Sequence, residues 1–514
     1  MQDKIEVPAY RMLYLDETLQ ENAMMEVIRD VSFASRIEKL QNPDFEKEYV
    51  PDSLKGILRE YQKAGAAWIG MLYSNQFGGI LADDMGLGKT LQVISFLLVE
   101  HTGCSLIVCP ASLVYNWKHE LERFAPSLKA DMVTGNVQQR KEVLDRWKEV
   151  DVLITSYDLL RRDITDYQEL HFFCEVIDEA QYIKNHGTQA ARAVKQVQTG
   201  FRLALTGTPI ENRLSELWSI FDYLMPGYLY SYQRFRTELE QPIVQHKDED
   251  AAKRLQRLIR PFVLRRLKKE VLQDLPDKLE ENLYADMDGE QQELYDAHVR
   301  RMKLMLEEKS DEEIRTDKIE ILAELTRLRQ LCCDPALLYD NYKGGSAKTE
   351  LVRGLIRNAV ENGHKVLLFS QFTTMLERLY RILEEEKIAS HMLTGATPKE
   401  KRIEMVESFA HDEVPVFCIS LKAGGTGLNL TAADVVIHFD PWWNSAVQNQ
   451  ATDRAHRIGQ KNVVNVYRIL AKGTIEEKIV ELQERKLQLS DRILGGESLQ
   501  AQGLTREELL ELLR

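Results

Sequence analysis

The chain has 514 residues, of which 44% are hydrophobic and 29% charged, a balance typical of a globular protein with about three domains or two large ones. Its net charge is −14, from 67 basic against 81 acidic residues, which taken alone argues against nucleic acid as a partner. No apolar run reaches the roughly 18 residues that span a membrane, and no apolar signal segment opens the chain, so we expect a cytoplasmic protein with no membrane partner.

The first half of the chain carries a series of short apolar runs. Residues 1–50 have no clear period, and their last ten have the composition of a linker. Near-continuous apolar runs of this length predict strands that are buried on both faces of a parallel sheet. The runs are GGILA (78–82), LIVCP (106–110), DVLITSY (151–157), CEVID (174–178) and FRLALTG (201–207).

A long helix-like region, 212–345, follows the first series of strands and is rich in Leu, Glu, Arg and Lys. Within it, RPFVLRRLKK (260–269) has five basic residues and no acidic one. Two interpretations of this stretch stay open, namely a solvated helix face and a basic surface that binds a phosphate backbone.

A second series of apolar runs follows the helix-like region, and the last segment, 474–514, has helical patterns with a break at LGGES (494–498). Strands that alternate with helices predict βαβ units and an α/β fold. We therefore expect two α/β lobes with helical insertions between the two series of strands. The second series comprises KVLLFSQ (365–371), VFCIS (416–420), DVVIHFD (434–440) and NVVNVYRI (462–469).

The stretch DDMGLGKT (83–90) ends like the phosphate-binding loop G-x-x-x-x-G-K-[ST], but Asp83 stands where that pattern has glycine. Its context fits, because the run at 78–82 supplies a strand before the loop and TLQVISFLLVE (90–100) supplies a helix after it. A helix N-terminus after a strand presents backbone N–H groups to phosphate.

Within this loop, each residue type suits one part of a nucleotide. Gly86 and Gly88 permit a tight backbone with no Cβ to block the phosphate. Lys89 is the candidate cation for the β- and γ-phosphates, and Thr90 is the candidate ligand of Mg²⁺.

The motif VIDEAQ (176–181) supplies the acidic partner that such a loop needs. An apolar strand ends there at Asp178 and Glu179. A carboxylate at the end of a strand can hold Mg²⁺, which is the role we assign to Asp178. The adjacent Glu179 is the candidate general base for the attacking water.

A third motif, QATDRAHRIGQ (450–460), contains two arginines. If this segment is helical, Gln450, Arg454 and Arg457 lie on one face at i, i+4 and i+7. Two arginines directed at one place suit the charge that develops on a transferred phosphate, although a surface row of salt bridges is the alternative. Because these arginines belong to the second series of strands, hydrolysis is expected to need closure of the two lobes.

With these motifs in order, the chain resembles the Swi/Snf-type ATPases, a branch of the superfamily-two helicases, from about residue 54 to 485. LREYQKAGAAW (58–68) resembles the adenine-contacting Q motif, and PASLVYNWKHE (110–120) resembles motif Ia. The family itself has Asp at the first loop position, whereas Gln181 departs from the histidine of its DEAH box. TGTP (206–209) and SLKAGGTGLNL (420–430) resemble motifs three and five.

The resemblance implies roles for individual residues. For ATP binding it implies Arg59, Gln62, Asp84, Met85, Gly86, Gly88, Lys89, Thr90, Gly427 and Gln450. For coupling between hydrolysis and movement it implies Gln181, Thr206 and Thr208. For phosphate contacts with DNA it implies Asn116, Lys118, Thr155, Gln371, Thr394 and Lys422.

The resemblance also implies the architecture and the activity. We expect a segment of unknown role at 1–50, a RecA-like lobe at 51–275 with an insertion at about 212–260, a second lobe at 276–475 with an insertion at about 285–345, and brace or tail helices at 476–514. The expected activity is ATP- and Mg²⁺-dependent movement along double-stranded DNA that displaces or remodels DNA-bound proteins. An RNA-directed helicase, a scaffold without effective hydrolysis and an ATPase that acts on proteins are the alternatives.

Overall fold

The structure is a computed structural model, and it describes residues 31, 49–207, 214–272, 276–309, 317–424, 429–443, 445–481 and 483. The described residues divide into two compact units. Lobe 1 comprises those up to residue 272, and lobe 2 comprises those from residue 276. The division lies close to the expected one between 275 and 276.

Lobe 1 is built on seven described strands in one parallel sheet, in the order β3-β4-β2-β5-β6-β1-β7. The inner strands β1, β2 and β4 are buried at every position, because helices cover both faces of the sheet. The strands are β1 (Gly79–Leu81), β2 (Ser105–Cys109), β3 (Ala130–Met132), β4 (Val152–Ser156), β5 (His171–Ile177), β6 (Gln198–Leu205) and β7 (Val263–Leu264).

One helix of lobe 1 precedes the first strand, and the others follow individual strands or form a group after β6. Leu217, Phe221 and Tyr223 of that group are fully buried in the lobe 1 core. The α-helices are α1 (Glu60–Ser74), α2 (Lys89–Val99), α3 (Val114–Phe124), α4 (Val137–Asp145), α5 (Tyr157–Arg162), α6 (Ile164–Tyr167), α7 (Gln189–Gln196), α8 (Leu214–Leu224), α9 (Tyr232–Phe235), α10 (Gln241–His246), α11 (Glu249–Ile259) and α12 (Lys268–Val271).

Lobe 2 is built on six described strands in a second parallel sheet, in the order β10-β11-β9-β12-β13-β8. Its inner strands β9, β11 and β12 are also buried throughout. The strands are β8 (Lys278–Ala285), β9 (Val366–Ser370), β10 (Ser390–Leu393), β11 (Val416–Ser420), β12 (Val435–His438) and β13 (Val464–Ala471).

Two long helices of lobe 2, α13 and α14, pack on each other between β8 and β9 and share a buried apolar cluster. They occupy the region where the second helical insertion is expected. The α-helices of this lobe are α13 (Gly289–Glu308), α14 (Lys318–Cys333), α15 (Ala347–Glu361), α16 (Thr373–Glu385), α17 (Lys399–His411), α18 (Leu421–Gly424) and α19 (Ser445–Thr452).

The predicted α/β fold with two parallel sheets is confirmed, and each of the nine apolar runs contains a strand. The strands that the sequence did not predict are β3, β7, β8 and β10, which are short or polar. All four are edge strands, whose exposed side removes the apolar signal. No helix among the described residues is long and apolar enough to cross a bilayer.

Two expected segments lie almost wholly outside the described residues. Of the N-terminal segment at 1–50, the structure describes residues 31, 49 and 50, and of the tail at 476–514 it describes 476–481 and 483. Their predicted roles stay predictions.

Candidate functional site

Three loops that the sequence analysis singled out leave the lobe 1 sheet at the same edge. The phosphate-binding loop follows β1, Thr206 follows β6, and the DEAQ box (178–181) follows β5. These strands are parallel neighbours in the order β5-β6-β1. Their carboxyl ends therefore lie side by side, which is where α/β sheets bind ligands.

The loop between β1 and α2 has the backbone that a phosphate cradle requires. Gly86 and Gly88 have φ angles of 85° and 74°, in the left-handed region that residues with a Cβ rarely adopt. A Cβ on Gly88 would also lie 2.4 Å from Nε2 of Gln62. Helix α2 begins at the next residue, Lys89, so its unpaired N–H groups open onto the loop.

The predicted phosphate-binding lysine lies over its own loop. Nζ of Lys89 donates to the backbone oxygen of Asp83 at 2.6 Å and to that of Asp84 at 3.5 Å. Thr90 lies half-buried in the first turn of α2, and Met85 lies half-buried in the loop. Lys89 and Thr90, predicted to bind phosphate and Mg²⁺, are therefore adjacent at one helix N-terminus.

The glutamine of the Q motif supports this loop. Gln62 is buried, its Nε2 donates to the backbone oxygen of Leu87 at 3.1 Å, and its Oε1 accepts from the backbone N–H of Arg59 at 2.9 Å. The hydroxyl of Tyr61 donates to the same Leu87 oxygen at 3.0 Å. Gln62 thus fixes the loop from α1, while its contact with adenine stays a prediction.

The carboxylate of Asp178 is held in place by two donors. Nε1 of Trp117 donates to its Oδ2 at 2.9 Å, and the backbone N–H of Glu179 donates to its Oδ1 at 2.8 Å. Burial raises the pKa of Asp178 to about 7, and the negative charge of Glu179 adds to the rise, whereas Trp117 and the ammonium group of Lys89 lower it. The ammonium group of Lys89 thus favours the charged form of Asp178.

A chain of hydrogen bonds connects the candidate base with the loop after β6. Nε2 of Gln181 donates to Oε2 of Glu179 at 2.7 Å, and Oγ1 of Thr206 donates to Oε1 of Gln181 at 3.1 Å. Glu179 has a left-handed φ of 53°, a rare conformation for a residue with a side chain. Gln181 therefore bridges the DEAQ box and motif three with an amide, although an amide does not titrate as histidine does.

The donor set fits a magnesium ion that is bound together with phosphate. Thr90 offers a hydroxyl and Asp178 a carboxylate, both oxygen donors of the kind that Mg²⁺ prefers. In the described parts of the chain, no group of three or more His, Cys, Asp or Glu side chains could hold a metal ion by itself. Phosphate oxygens and water would complete the coordination of such an ion, as they do for Mg²⁺ in nucleotide sites.

Sequence reasoning missed Trp117, which lies between two residues that it did select, Asn116 and Lys118. The side chain is almost completely buried and contacts the predicted Mg²⁺ ligand directly. The local sequence does not indicate this role for the tryptophan, because the carboxylate that accepts the indole hydrogen bond lies 61 positions away along the chain.

We expect Trp117→Phe to raise the Mg²⁺ concentration for half-maximal hydrolysis by roughly 10- to 100-fold, because Asp178 loses the donor that orients it. A magnesium titration of the ATPase rate measures this shift. Trp147→Phe is the control, since Trp147 packs against Phe172 in the same lobe. An unchanged magnesium dependence of the Trp117 variant would show that the indole does not support the metal ligand.

The arginine motif of lobe 2 is not one helix, so the condition under which Gln450, Arg454 and Arg457 would share one face is not met. Helix α19 ends at Thr452, and 453–459 form turns and bends. The side chains of the motif bind backbone elsewhere, with His456 Nε2 2.8 Å from the oxygen of Pro276 and Gln460 Nε2 donating to Ala433 at 2.8 Å. These hydrogen bonds, and not those of a continuous helix, hold the segment in place.

The three selected residues of this motif therefore differ in exposure. Arg454 is 7% exposed, and its backbone oxygen accepts from Leu430 at 3.0 Å. Gln450 and Arg457 are half-buried. Of the two arginines, Arg457 is thus the one whose side chain is more open to a ligand.

Three predicted DNA contacts of lobe 2 come together at one edge of its sheet. Gln371 follows β9, Thr394 follows β10, and Lys422 lies in α18 directly after β11. These strands are neighbours in the order β10-β11-β9 and all are parallel. The backbone thus places the three positions next to one another, at the carboxyl ends of adjacent strands. For Lys422, the structure describes the backbone and not the side chain.

The residues of lobe 1 that were predicted to contact DNA differ in their burial and in their partners. Thr155 lies inside β4 and is fully buried, so the prediction that it contacts DNA is wrong for this structure. Asn116 and Lys118 lie on α3, where Asn116 donates to Glu120 at 3.2 Å and Lys118 pairs with Glu122 at 3.3 Å. Thr208 and Gly427, predicted for coupling and ATP binding, lie outside the described residues.

Two family models match the chain. A model described as the SNF2-related domain matches residues 61–337, and one described as the helicase conserved C-terminal domain matches residues 347–459. The first model covers the phosphate-binding loop and the DEAQ box, and the second covers both arginines of the arginine motif.

Individual proteins are also similar to the chain. An uncharacterised ATP-dependent helicase of Mycoplasma genitalium is 42% identical over 88% of this chain and 44% of its own length. The human SWI/SNF-related matrix-associated actin-dependent regulator of chromatin subfamily A member 1 is 35% identical over 94% of this chain and 48% of its own length. The chain thus spans about half the length of these relatives.

Among solved structures, the Sulfolobus solfataricus SWI2/SNF2 ATPase core in complex with double-stranded DNA is 37% identical to the chain. The match covers 85% of this chain and 93% of that chain, with a TM-score of 0.44.

Proposed function

The chain belongs to the SNF2 family of ATPases, and from this premise we propose that it is an ATP-driven motor that moves along double-stranded DNA. The motor would displace or remodel proteins bound to that DNA, and its two lobes would be the RecA-like halves of the engine. The name of the mycoplasma relative, an ATP-dependent helicase, supports the use of ATP.

One observation carries the proposal, namely the grouping of the phosphate-binding loop, Thr206 and the DEAQ box at the carboxyl ends of β1, β6 and β5. In this arrangement Lys89 binds the phosphates, and Glu179 orients and deprotonates the attacking water. Gln181 connects Glu179 to Thr206, so a shift of the base is passed to the loop after β6.

Magnesium is the proposed partner of ATP. Thr90 and Asp178 would hold the ion, and the ion would neutralise charge on the phosphates. The indole of Trp117 keeps the Asp178 carboxylate oriented for this task.

Arg454 and Arg457 are the proposed cations that stabilise the phosphate charge during turnover. For Arg457→Ala we expect a fall in kcat of about 10³-fold or more with little change in ATP affinity, because the guanidinium acts only while the phosphate is transferred. Steady-state kinetics together with an ATP titration measure the two effects.

The matched control for this variant is Arg357→Ala, since Arg357 is an exposed arginine of lobe 2 that pairs with Glu386. Equal losses in kcat and in ATP affinity would show instead that Arg457 is a binding residue.

The DNA contact is proposed to be independent of base sequence. The backbone positions of Gln371, Thr394 and Lys422 lie at one edge of lobe 2, and polar and cationic residues can bind phosphates without reading bases. A net charge of −14 does not oppose this, because a local surface governs binding. Affinity that rests on phosphate contacts should fall steeply with salt.

The steady-state ATPase rate, measured alone and with duplex DNA, single-stranded DNA or RNA at two salt concentrations, tests the proposal. We expect strong stimulation by duplex DNA that fades as salt rises. Stimulation mainly by RNA would place the protein with RNA-directed helicases, and ATP binding without any nucleic-acid response would indicate a regulated or scaffold role.

A further inference from the structure

Asp83, the residue that departs from the strict phosphate-loop pattern, is completely buried, and both of its carboxylate oxygens accept hydrogen bonds. Its Oδ1 accepts from Nε of Arg266 at 2.9 Å, and its Oδ2 accepts from a terminal guanidinium nitrogen of Arg266 at 2.5 Å. Nε2 of Gln92, on α2, donates to the same Oδ2 at 3.0 Å. The carboxylate is therefore held by a bidentate, charge-assisted pair and one amide.

Arg266 is itself fixed from several sides. The guanidinium donates to Oε1 of Gln92 at 2.8 Å and to the backbone oxygen of Tyr61, and it lies 5.2 Å from the centre of the Tyr61 ring. Gly65 on α1 makes room for the cluster, because a Cβ there would lie 2.7 Å from Arg266 and 1.8 Å from Oε1 of Gln92. A lysine at position 266 could not reproduce this planar, multiply bonded arrangement.

The segment that carries Arg266 also runs along the loop backbone. The N–H of Ala82 donates to the oxygen of Leu264 at 2.7 Å, and that of Asp84 donates to the oxygen of Arg266 at 3.0 Å. The N–H of Lys268 donates to Oδ2 of Asp84 at 2.9 Å. Residues 264–268 thus extend the pairing of β7 with β1 up to the phosphate-binding loop.

Asp83 connects this segment to the phosphate-binding lysine. Its side chain is bound to Arg266, while its backbone oxygen accepts from Nζ of Lys89 at 2.6 Å. The basic stretch 260–269 is therefore neither a solvated helix face nor an open basic surface at this point, since the Arg266 side chain is only 13% exposed.

A second buried arginine–carboxylate pair in lobe 1 provides a comparison, because it supports the fold away from the phosphate-binding loop. Arg202 lies 3.5 Å from Glu175, with exposures of 17% and 0%, and donates to backbone oxygens of Val197 and Tyr223. These exposures are close to the 13% and 0% of Arg266 and Asp83. In the described part of lobe 1, Arg202 contacts β5, the residue before β6 and nearby helix ends, and it has no hydrogen bond or ion pair with the phosphate-binding loop.

We propose that Arg266 is a positioning residue for the phosphate-binding loop, which it holds through Asp83 in the shape that receives the phosphates of ATP. This inference rests on the proposed function. Without the Arg266 contact, the loop would populate other shapes, and ATP would have to select the competent one. The apparent affinity for ATP then falls in proportion to the fraction of molecules whose loop has the competent shape. The rate of hydrolysis from the ATP-bound state changes little.

The test compares Arg266→Gln with the matched control Arg202→Gln in the full chain. We expect both variants to lose thermal stability, because each leaves a buried carboxylate without its partner. Only Arg266→Gln should raise the Kd and KM for ATP, by roughly 10- to 100-fold, with kcat at saturating ATP and duplex DNA largely kept. Calorimetric titration with ATP and steady-state kinetics give these values.

Two further variants keep the test decisive if Arg266→Gln does not fold. Arg266→Lys keeps the charge without the bidentate contact, and Asp83→Asn keeps the shape without the charge, so both should raise the Kd for ATP. An ATP Kd unchanged in both, or raised equally in Arg202→Gln, would overturn the proposal. Failure of the proposed function is a separate result, because the unaltered chain would then not bind or hydrolyse ATP.

Discussion

Lys89→Ala is expected to lower the duplex-stimulated ATPase rate by about 10³-fold or more, which is in practice a loss of hydrolysis. The physical reason is that the β- and γ-phosphates lose the only side-chain cation that the described loop presents at the start of α2. In the structure this ammonium group lies 2.6 Å from the backbone oxygen of Asp83, within the turn that Gly86 and Gly88 form. Lys89 is half-buried and is not part of the apolar core of lobe 1, so the variant should fold.

The control for this variant is Lys63→Ala, since Lys63 lies on α1 of the same lobe and pairs with Glu60 at 2.7 Å on the surface. Its removal should leave the rate unchanged, because an exposed pair of this kind contributes little. Thermal unfolding of both variants checks that they are folded. Turnover retained by Lys89→Ala would mean that the loop is misassigned.

Glu179→Gln is expected to bind ATP and to hydrolyse it about 10²- to 10⁴-fold more slowly, because the attacking water loses its general base. The substitution keeps the size of the side chain and its position before Gln181, whose Nε2 donates to Glu179 at 2.7 Å. It leaves Asp178 and Lys89 in place, so the phosphates and the metal ion keep their protein partners.

Single-turnover hydrolysis and an ATP titration separate the two effects of Glu179→Gln. Glu100→Gln is the control, because Glu100 follows α2 in the same lobe and its carboxylate accepts from the hydroxyl of Tyr49 at 3.3 Å, away from the DEAQ box. A Glu179 variant that hydrolyses ATP at the normal rate would exclude this carboxylate as the base. Lost ATP binding would assign it to nucleotide affinity instead.

The parts of the site that sequence predicted best are those in which local chain order determines geometry. A glycine-rich turn between a buried strand and a helix leaves few backbone solutions, so DDMGLGKT predicted both the loop and the start of α2. Asp178 and Glu179 follow β5 for the same reason, since the strand ends where the apolar run ends. Strand order in the sheet then brings these loops to one edge.

The parts that sequence did not predict depend on contacts between distant residues. The partner of Asp83 lies 183 positions away in a basic stretch, and the partner of Asp178 is an indole 61 positions away. Neither Arg266 nor Trp117 differs in local pattern from a surface or core residue. The prediction for Thr155 failed for a related reason, because the family resemblance assigned the residue by its motif position while β4 places it inside the sheet.

The arginine motif shows the same limit for a periodic pattern. Residues 450–460 have helical spacing, yet the chain leaves the helix at Thr452. Gln460 and His456 bind backbone groups of two other segments of lobe 2, at Ala433 and Pro276. Tertiary hydrogen bonds of this kind cannot be inferred from the spacing of Gln450, Arg454 and Arg457.

The most direct test of the central claim, movement along duplex DNA driven by ATP, is displacement of a third DNA strand bound to a duplex. The unaltered chain should release the third strand only with ATP and Mg²⁺, and the delay before release should grow with the length of duplex that leads to it. Lys89→Ala and Glu179→Gln should not release it. Duplex-stimulated ATP hydrolysis with no release at any duplex length would contradict the claim that hydrolysis moves this protein along DNA.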